Sequence, residues 1–290
     1  MIVIWIGQWI ETAPLWIVTA VLLGLMVLAS YVGHSVRRHH DKKPPVDEKV
    51  ARLMAGQEGY IVSAVLGLLA LLTGFTFSLA VDRFETRRAL VLEEANAIGT
   101  TYLRTQLLDA PHRSLISDLL VQYTDNRIAL AAAQHNKEGE EVLARNDRLV
   151  TELWTATVAA FPTIRGLDFS SAYLDSMNAL IDLDAARKAS RAAKVPPAVF
   201  GVLAIYIIIT AAVMGYVLVG PRGRVTGLFL FILIVMAQLL IIDIDRPTAG
   251  KVTESPEPML RLRETLATPP AVFDHMKETP VPTPLGTHGT

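Results

Sequence analysis

Four long stretches of the chain carry no charged side chain. They cover residues 12–33, 59–81, 195–221 and 225–242. A helix needs about 20 residues to cross the hydrocarbon core of a bilayer, and each stretch meets or approaches that length. The last stretch is the shortest, and Arg224 and Asp243 at its ends can reach the two interfaces. The pattern predicts an all-α membrane protein with four transmembrane helices.

The residues before the first span predict a segment at the membrane surface. Met1 to Ile10 has no positive charge, and no cleavage site follows a short apolar core, so a cleaved signal peptide is not expected. Trp5, Trp9 and Trp16 suit the boundary between lipid and water. Residues 1–82 are therefore predicted to hold this interfacial segment and the first two spans.

Residues 83–194, between the second and third spans, are charged but follow a helical pattern. From Arg83 to Leu108 there is no proline, and apolar residues recur at steps of three to five. We expect the second span to continue past Asp82 as one helix. Three further helices are expected over residues 113–133, 140–160 and 170–194, the middle one stopping before Pro162. The insert is predicted to be an extramembrane helical bundle continuous with the second span.

The remainder of the chain divides at Asp245. Residues 195–245 hold the third and fourth predicted spans. Residues 246–290 are rich in proline and polar side chains, which predicts a tail that is largely disordered, or ordered only by docking.

The second span carries two stripes of different chemistry at the 100° helical repeat. One stripe is made of small residues, which let membrane helices approach closely, and is predicted to be a packing surface. Its members are Ser63, Gly67, Ala70, Gly74 and Ser78. The other stripe changes along the helix from apolar to hydroxyl to cationic side chains, and it has two interpretations. It either packs within the protein with its arginines at the lipid headgroups, or it lines a pore. The pore-lining hypothesis names Thr73, Thr76, Phe77, Ala80, Arg83 and Arg87.

Two carboxylates close together mark the end of the fourth span. Asp243 and Asp245 precede Arg246, and two acids at a helix C-terminus are unfavourable to the helix dipole unless they are paired. A structural salt bridge among these three residues is the main prediction, and a bound divalent cation is the alternative.

Composition limits the remaining chemistry. The chain has 290 residues, of which 51% are hydrophobic and 19% charged, a net charge of −1 and no cysteine. Thiolate chemistry is excluded, and nothing indicates nucleic-acid binding. No nucleophile elbow, phosphate-binding loop or dinucleotide-binding fingerprint occurs, so we expect neither an enzyme nor a cofactor or metal site. A membrane-embedded enzyme using Glu93, Glu94 or Asp243 is a minor alternative.

Two segments carry a family resemblance. Residues 74–107 contain GFTFSLAVDRFETRRALVLEEANAIGTTYLRTQL, and residues 242–260 contain IDIDRPTAGKVTESPEPML. With two spans on each side of a helical insert, they resemble the bacterial membrane family called bestrophin-like, from about Leu15 to Leu262. The resemblance implies a multi-pass protein of the bacterial inner membrane. Bestrophins themselves are pentameric ion channels, usually for anions, in which the second helix lines the pore.

The sequence leads to two hypotheses of function. The first is a homo-oligomeric ion channel, pentameric by analogy, whose partners are the lipid bilayer and small ions. The alternative is a non-conducting scaffold or sensor whose insert binds a protein. Orientation stays open, because the basic short loops favour an external insert, whereas the bestrophin resemblance implies a cytoplasmic one.

Overall fold

The computed structural model of the chain describes residues 1–40, 42, 48–133, 137–218, 220–247 and 252–268, and over residues 48–55, 137 and 138 it describes the backbone alone. In this part of the chain every regular element is an α-helix, which confirms the predicted fold class. The helices are α1 (Ile2–Thr12), α2 (Leu15–His40), α3 (Glu48–Thr105), α4 (His112–Ala132), α5 (Lys137–Ile164), α6 (Ser170–Ala192), α7 (Pro197–Val217), α8 (Gly220–Asp245) and α9 (Glu257–Ala267).

Four helical segments among the described residues are long and apolar enough to cross a membrane. They are α2, residues 56–105 of α3, residues 170–217 with α7 at their end, and α8. The four predicted spans are therefore confirmed. Helix α3 is unbroken past Asp82, as its sequence predicts, and α1 is separated from α2 at Pro14.

The chain forms two compact units. The first contains the described residues of 1–87 and 190–253, and the second contains residues 88–189 with the described residues from Glu254 onward. Helix α3 begins in the first unit, and its C-terminal part belongs to the second.

Helix α7 is the inner helix of the first unit. It packs against α1 and α2 along most of its length and also contacts α8. It buries the large apolar side chains Phe200, Leu203, Ile207 and Met214 in two apolar clusters. Half of the most apolar stretch within residues 170–217, which include α7, is buried. Only 17% of the most apolar stretch of α3 is buried.

Glycines allow α7 to approach its neighbours this closely. A Cβ on Gly7 or Gly201 would overlap a main-chain carbonyl across the α1–α7 crossing. The same is true of Gly33 and Gly215 where α2 crosses α7. Small residues at such crossings bring two backbones into van der Waals contact, which drives helix association in lipid.

The second unit is a helical bundle with its own core. The C-terminal part of α3 contributes Val91, Ala95 and Ile98 to a cluster completed by α4, α5, α6 and α9. Tyr123 of α4 and Tyr173 of α6 are the largest side chains fully buried there.

Helix α9 is the part of the tail that docks on the rest of the chain. Residues 257–267 are helical, and Met259 and Leu266 are buried in the core of the second unit. This stretch carries apolar residues at helical spacing between its polar ones, and those residues are ordered by packing against α4. The tail beyond residue 268 lies outside the described residues, as do residues 134–136 between α4 and α5.

Helix α5 is longer than predicted. It continues past Pro162 to Ile164. Proline cannot donate to the carbonyl four residues earlier, but this costs little here because the helix ends two residues later and Val158 is exposed.

Candidate functional site

The stripe of α3 predicted to line a pore is mostly buried inside the first unit. Thr76, Ala80 and Arg87 are buried, and Thr73 and Arg83 are half-buried. Only Phe77 is well exposed, at 40%. A side chain that is buried against its own chain cannot line a water-filled path. The exposed surface of α3 is therefore formed by residues outside this stripe.

Hydrogen bonds explain why this stripe faces inward. Gln238 Nε2 of α8 donates to Thr73 Oγ1 at 3.2 Å, and the Arg87 guanidinium donates to the Ile244 carbonyl at 2.8 Å. Thr76 bonds within its own helix, to the Leu72 carbonyl at 2.8 Å. Polar groups inside a membrane protein need such internal partners, because lipid offers none. The stripe therefore anchors α3 to α8.

The small-residue stripe has the opposite placement. All five of its members, Ser63, Gly67, Ala70, Gly74 and Ser78, are exposed. Apart from chain neighbours and the backbone of α3 itself, no atom of the described residues lies within 4 Å of a Cβ built on Gly67 or Gly74. Among the described residues the close helix crossings use glycines of α1, α2 and α7, and a packing role for the α3 stripe stays a prediction.

The acidic motif at the end of α8 forms a main-chain clamp. Arg246 donates to the carbonyls of Ile10 and Ala13, the latter at 2.7 Å, and these carbonyls lie at the C-terminal end of α1. A cation suits that position because the carbonyls of a last helical turn lack partners. The arginine therefore fastens α1 to the end of α8.

The two aspartates of this motif also bind backbone groups. Asp245 Oδ1 accepts the N–H of Val195 at 3.0 Å, and Asp243 Oδ2 accepts that of Val252 at 3.3 Å. These bonds tie neighbouring chain segments to α8. Arg246 also interacts electrostatically with both aspartates, and Arg87, Arg83 and Lys194 add positive charge near Asp245. The salt bridge expected among Asp243, Asp245 and Arg246 stays a prediction.

A buried ionic network in the second unit was not predicted. Glu94 of α3 is completely buried, and Tyr123 Oη donates to it at 2.6 Å. Arg127 Nε lies 3.0 Å from the same carboxylate, and Arg187 also pairs with it. Two other helices, α4 and α6, thus supply the partners of one carboxylate.

Asp184 of α6 extends this network. It accepts from Arg127 Nη1 at 3.2 Å and from Asn146 Nδ2 at 2.8 Å, and Lys188 pairs with its other oxygen. Two carboxylates thus face two buried guanidiniums and a lysine, and the network joins α3, α4, α5 and α6. Buried charges are tolerated when they are paired and hydrogen-bonded in this way.

The network shifts the protonation equilibria of its members. Burial raises the pKa of the Tyr123 hydroxyl well above its ordinary value, and the charge of Glu94 raises it further. Burial acts to lower the pKa of Arg127, but the Glu94 carboxylate, together with Tyr123 and Asp184, leaves it above its ordinary value. Both side chains therefore keep their protons throughout the physiological range.

The two glutamates considered for catalysis have different surroundings. Glu93 is exposed, whereas the adjacent Glu94 is buried, so the two carboxylates diverge around α3. Among the described residues no group of three histidine, aspartate or glutamate side chains could hold a metal ion.

Comparison with known proteins gives the family. The model of the Bestrophin-like domain matches residues 20–259, which is most of the chain. The chain belongs to the bestrophin-like family. The matched region of this bestrophin-like chain includes the buried stripe of α3, the ionic network and the Asp243–Arg246 clamp, whereas α1 precedes it.

Solved structures share the bestrophin-like fold. Three single-substitution variants of a bacterial bestrophin homolog from Klebsiella pneumoniae match with TM-scores of 0.62, 0.61 and 0.61 at 16%, 15% and 17% identity. The alignments cover 84%, 86% and 88% of this chain and 96%, 97% and 96% of the homolog. None of the curated protein sequences matches this chain at a significant level.

Proposed function

We propose that this bestrophin-like chain assembles as a homo-oligomer in the bacterial inner membrane and conducts small ions, anions among them, along α3. The observation that carries the proposal is the exposed small-residue stripe of α3. Small residues give lipid little surface to contact, and in membrane proteins they are typical of helix–helix interfaces. The family supports the same conclusion, since bestrophins are oligomeric channels.

The proposed lining differs from the stripe that the sequence favoured. At 100° per residue, Arg88 follows Gly74 and Ser78 on one side of α3, and both Phe77 and Arg88 are exposed. We propose that Gly67, Gly74 and Ser78 border the path, that Phe77 narrows it and that Arg88 stands at its mouth. Arg83 and Arg87 lie on the other side, where Arg87 bonds to α8.

Charge reversal at two arginines tests the proposal. The full chain in planar bilayers should give unitary currents, and the reversal potential in a salt gradient measures anion preference. We expect Arg88→Glu to reduce that preference, because a cationic mouth concentrates anions. Arg148→Glu is the matched control, since Arg148 is an exposed residue of α5. Bilayers without currents at any voltage or pH would overturn the proposal.

The same recordings compare the two sides of α3. If Arg83→Glu shifts the reversal potential while Arg88→Glu leaves it unchanged, the buried stripe lines the path and the proposed lining is wrong.

A second candidate function is a scaffold or sensor that binds a protein through the insert. Leu103, Leu107 and Trp154 are large apolar side chains exposed in the second unit, which favours a docking surface there. This candidate predicts bilayers without currents, together with a defined complex that is lost in Trp154→Ala and kept in the wild type.

A further inference from the structure

A cavity of about 270 Å³ lies in the first unit between α1, α2, α7 and α8. Its walls are almost entirely apolar, with Ile10, Leu22, Phe200 and Ala204 among the buried side chains that form them. Gln238 is the single polar side chain of the wall, and its amide already donates to Thr73. Water in a buried site needs two to four polar partners, so this cavity does not suit water.

The cavity opens outward, to the medium that surrounds the membrane spans. Its rim includes exposed side chains, Trp5 of α1 with Val21 and Leu25 of α2. Val21 and Leu25 belong to a segment apolar enough to cross the bilayer, and hydrocarbon chains are the molecules that surround such a segment. Trp5 suits the boundary with the headgroups.

We propose that this cavity is a binding site for one acyl chain of a membrane phospholipid. Pockets for drug-sized ligands measure about 300–1,000 Å³, so this smaller volume suits a single chain. The absence of charged side chains from its wall keeps the headgroup outside, beside α1. The bound chain fills the space between α1 and α2 and so supports the contact of α1 with α7. This site lies apart from the small-residue stripe of α3 and does not depend on conduction.

Photocrosslinking tests the site in the full chain. The protein is reconstituted in vesicles of phosphatidylethanolamine and phosphatidylglycerol in which a small fraction of the phosphatidylethanolamine carries a mid-chain diazirine. After illumination, peptide mass spectrometry maps the adducts. We expect adducts on the buried wall residues Leu22, Phe200 and Ala204, beyond those on outward-facing residues such as Val202 of α7.

A matched pair of variants tests whether the wall adducts depend on access through the rim of the cavity. Val21→Trp places a large ring at the rim, where the native side chain is partly open, and should lower the wall adducts several-fold. Val202→Trp introduces the same ring on the exposed side of α7 and should leave them unchanged. Leu25→Trp provides a second rim variant if Val21→Trp fails to fold by circular dichroism.

Two results would overturn the site. The first is labelling confined to outward-facing residues, and the second is wall labelling that neither rim variant lowers.

Discussion

At the scale of single residues, Glu94 shows how much the insert depends on one carboxylate. Tyr123, Arg127 and Arg187 all bond to it, from two other helices. These partners lie 29, 33 and 93 positions away in sequence. The sequence can show that Glu93 and Glu94 diverge, but no local pattern indicates which of them is buried, because the pairing is entirely non-local.

Neutralising Glu94 should destabilise the second unit strongly. Glu94→Gln keeps the shape of the side chain but leaves two buried guanidiniums short of a negative charge, and breaking a buried ion pair typically costs about 3–5 kcal/mol. Unfolding of the detergent-solubilised chain, followed by circular dichroism, measures the change. Glu93→Gln is the control, since Glu93 is exposed. Equal stabilities of the two variants would show that the network contributes nothing.

The raised pKa of Tyr123 predicts a loss of stability at alkaline pH. The folded state holds the phenol proton more tightly than the unfolded state. The resulting stability is present below the ordinary tyrosine pKa of about 10 and is lost as the pH rises above it towards the folded value. Tyr123→Phe should lower stability at neutral pH, through the lost hydrogen bond to Glu94, and should weaken this alkaline dependence. Identical alkaline profiles for variant and wild type would refute the assignment.

At the scale of elements, α3 shows what helical periodicity can and cannot predict. The repeat correctly separates a small-residue stripe from a stripe of hydroxyl and cationic residues. It does not show which stripe faces the rest of the chain and which faces outward, because in lipid an apolar or small residue is compatible with either environment. The inward side is set by Gln238 and the Ile244 carbonyl on α8, which the sequence of α3 does not contain.

The glycines of α2 provide a test of helix packing with a control on the same helix. Gly33→Leu should prevent folding or assembly, because any side chain there meets the Ala212 carbonyl of α7. Gly24→Leu should be tolerated, since a Cβ there meets no described atom within 4 Å apart from its chain neighbours and the backbone of its own helix. Size-exclusion chromatography in detergent and the thermal midpoint distinguish the two variants. A Gly33→Leu protein that is monodisperse with an unchanged midpoint would contradict the close crossing.

At the scale of the whole molecule, the order of spans and insert follows from hydropathy alone. A helix satisfies its own backbone groups inside lipid, so four charge-free stretches of this length predict four membrane helices. The place of α9 does not follow in this way, since its short apolar pattern is ordered only by the core that Met259 and Leu266 join. The proposed assembly into an oligomer likewise depends on a surface, the exposed side of α3, for which the partner has to come from another chain.

Accessibility of two α3 positions during current recordings tests most directly whether the small-residue side of this helix borders the ion path. The chain has no cysteine, so a cationic thiol reagent acts only on an introduced one. We expect the reagent to reduce the currents of Ser78→Cys, whose position is exposed, and to leave those of Ala80→Cys unchanged, whose position is buried. Reduction of the Ala80→Cys currents alone would contradict the proposed path.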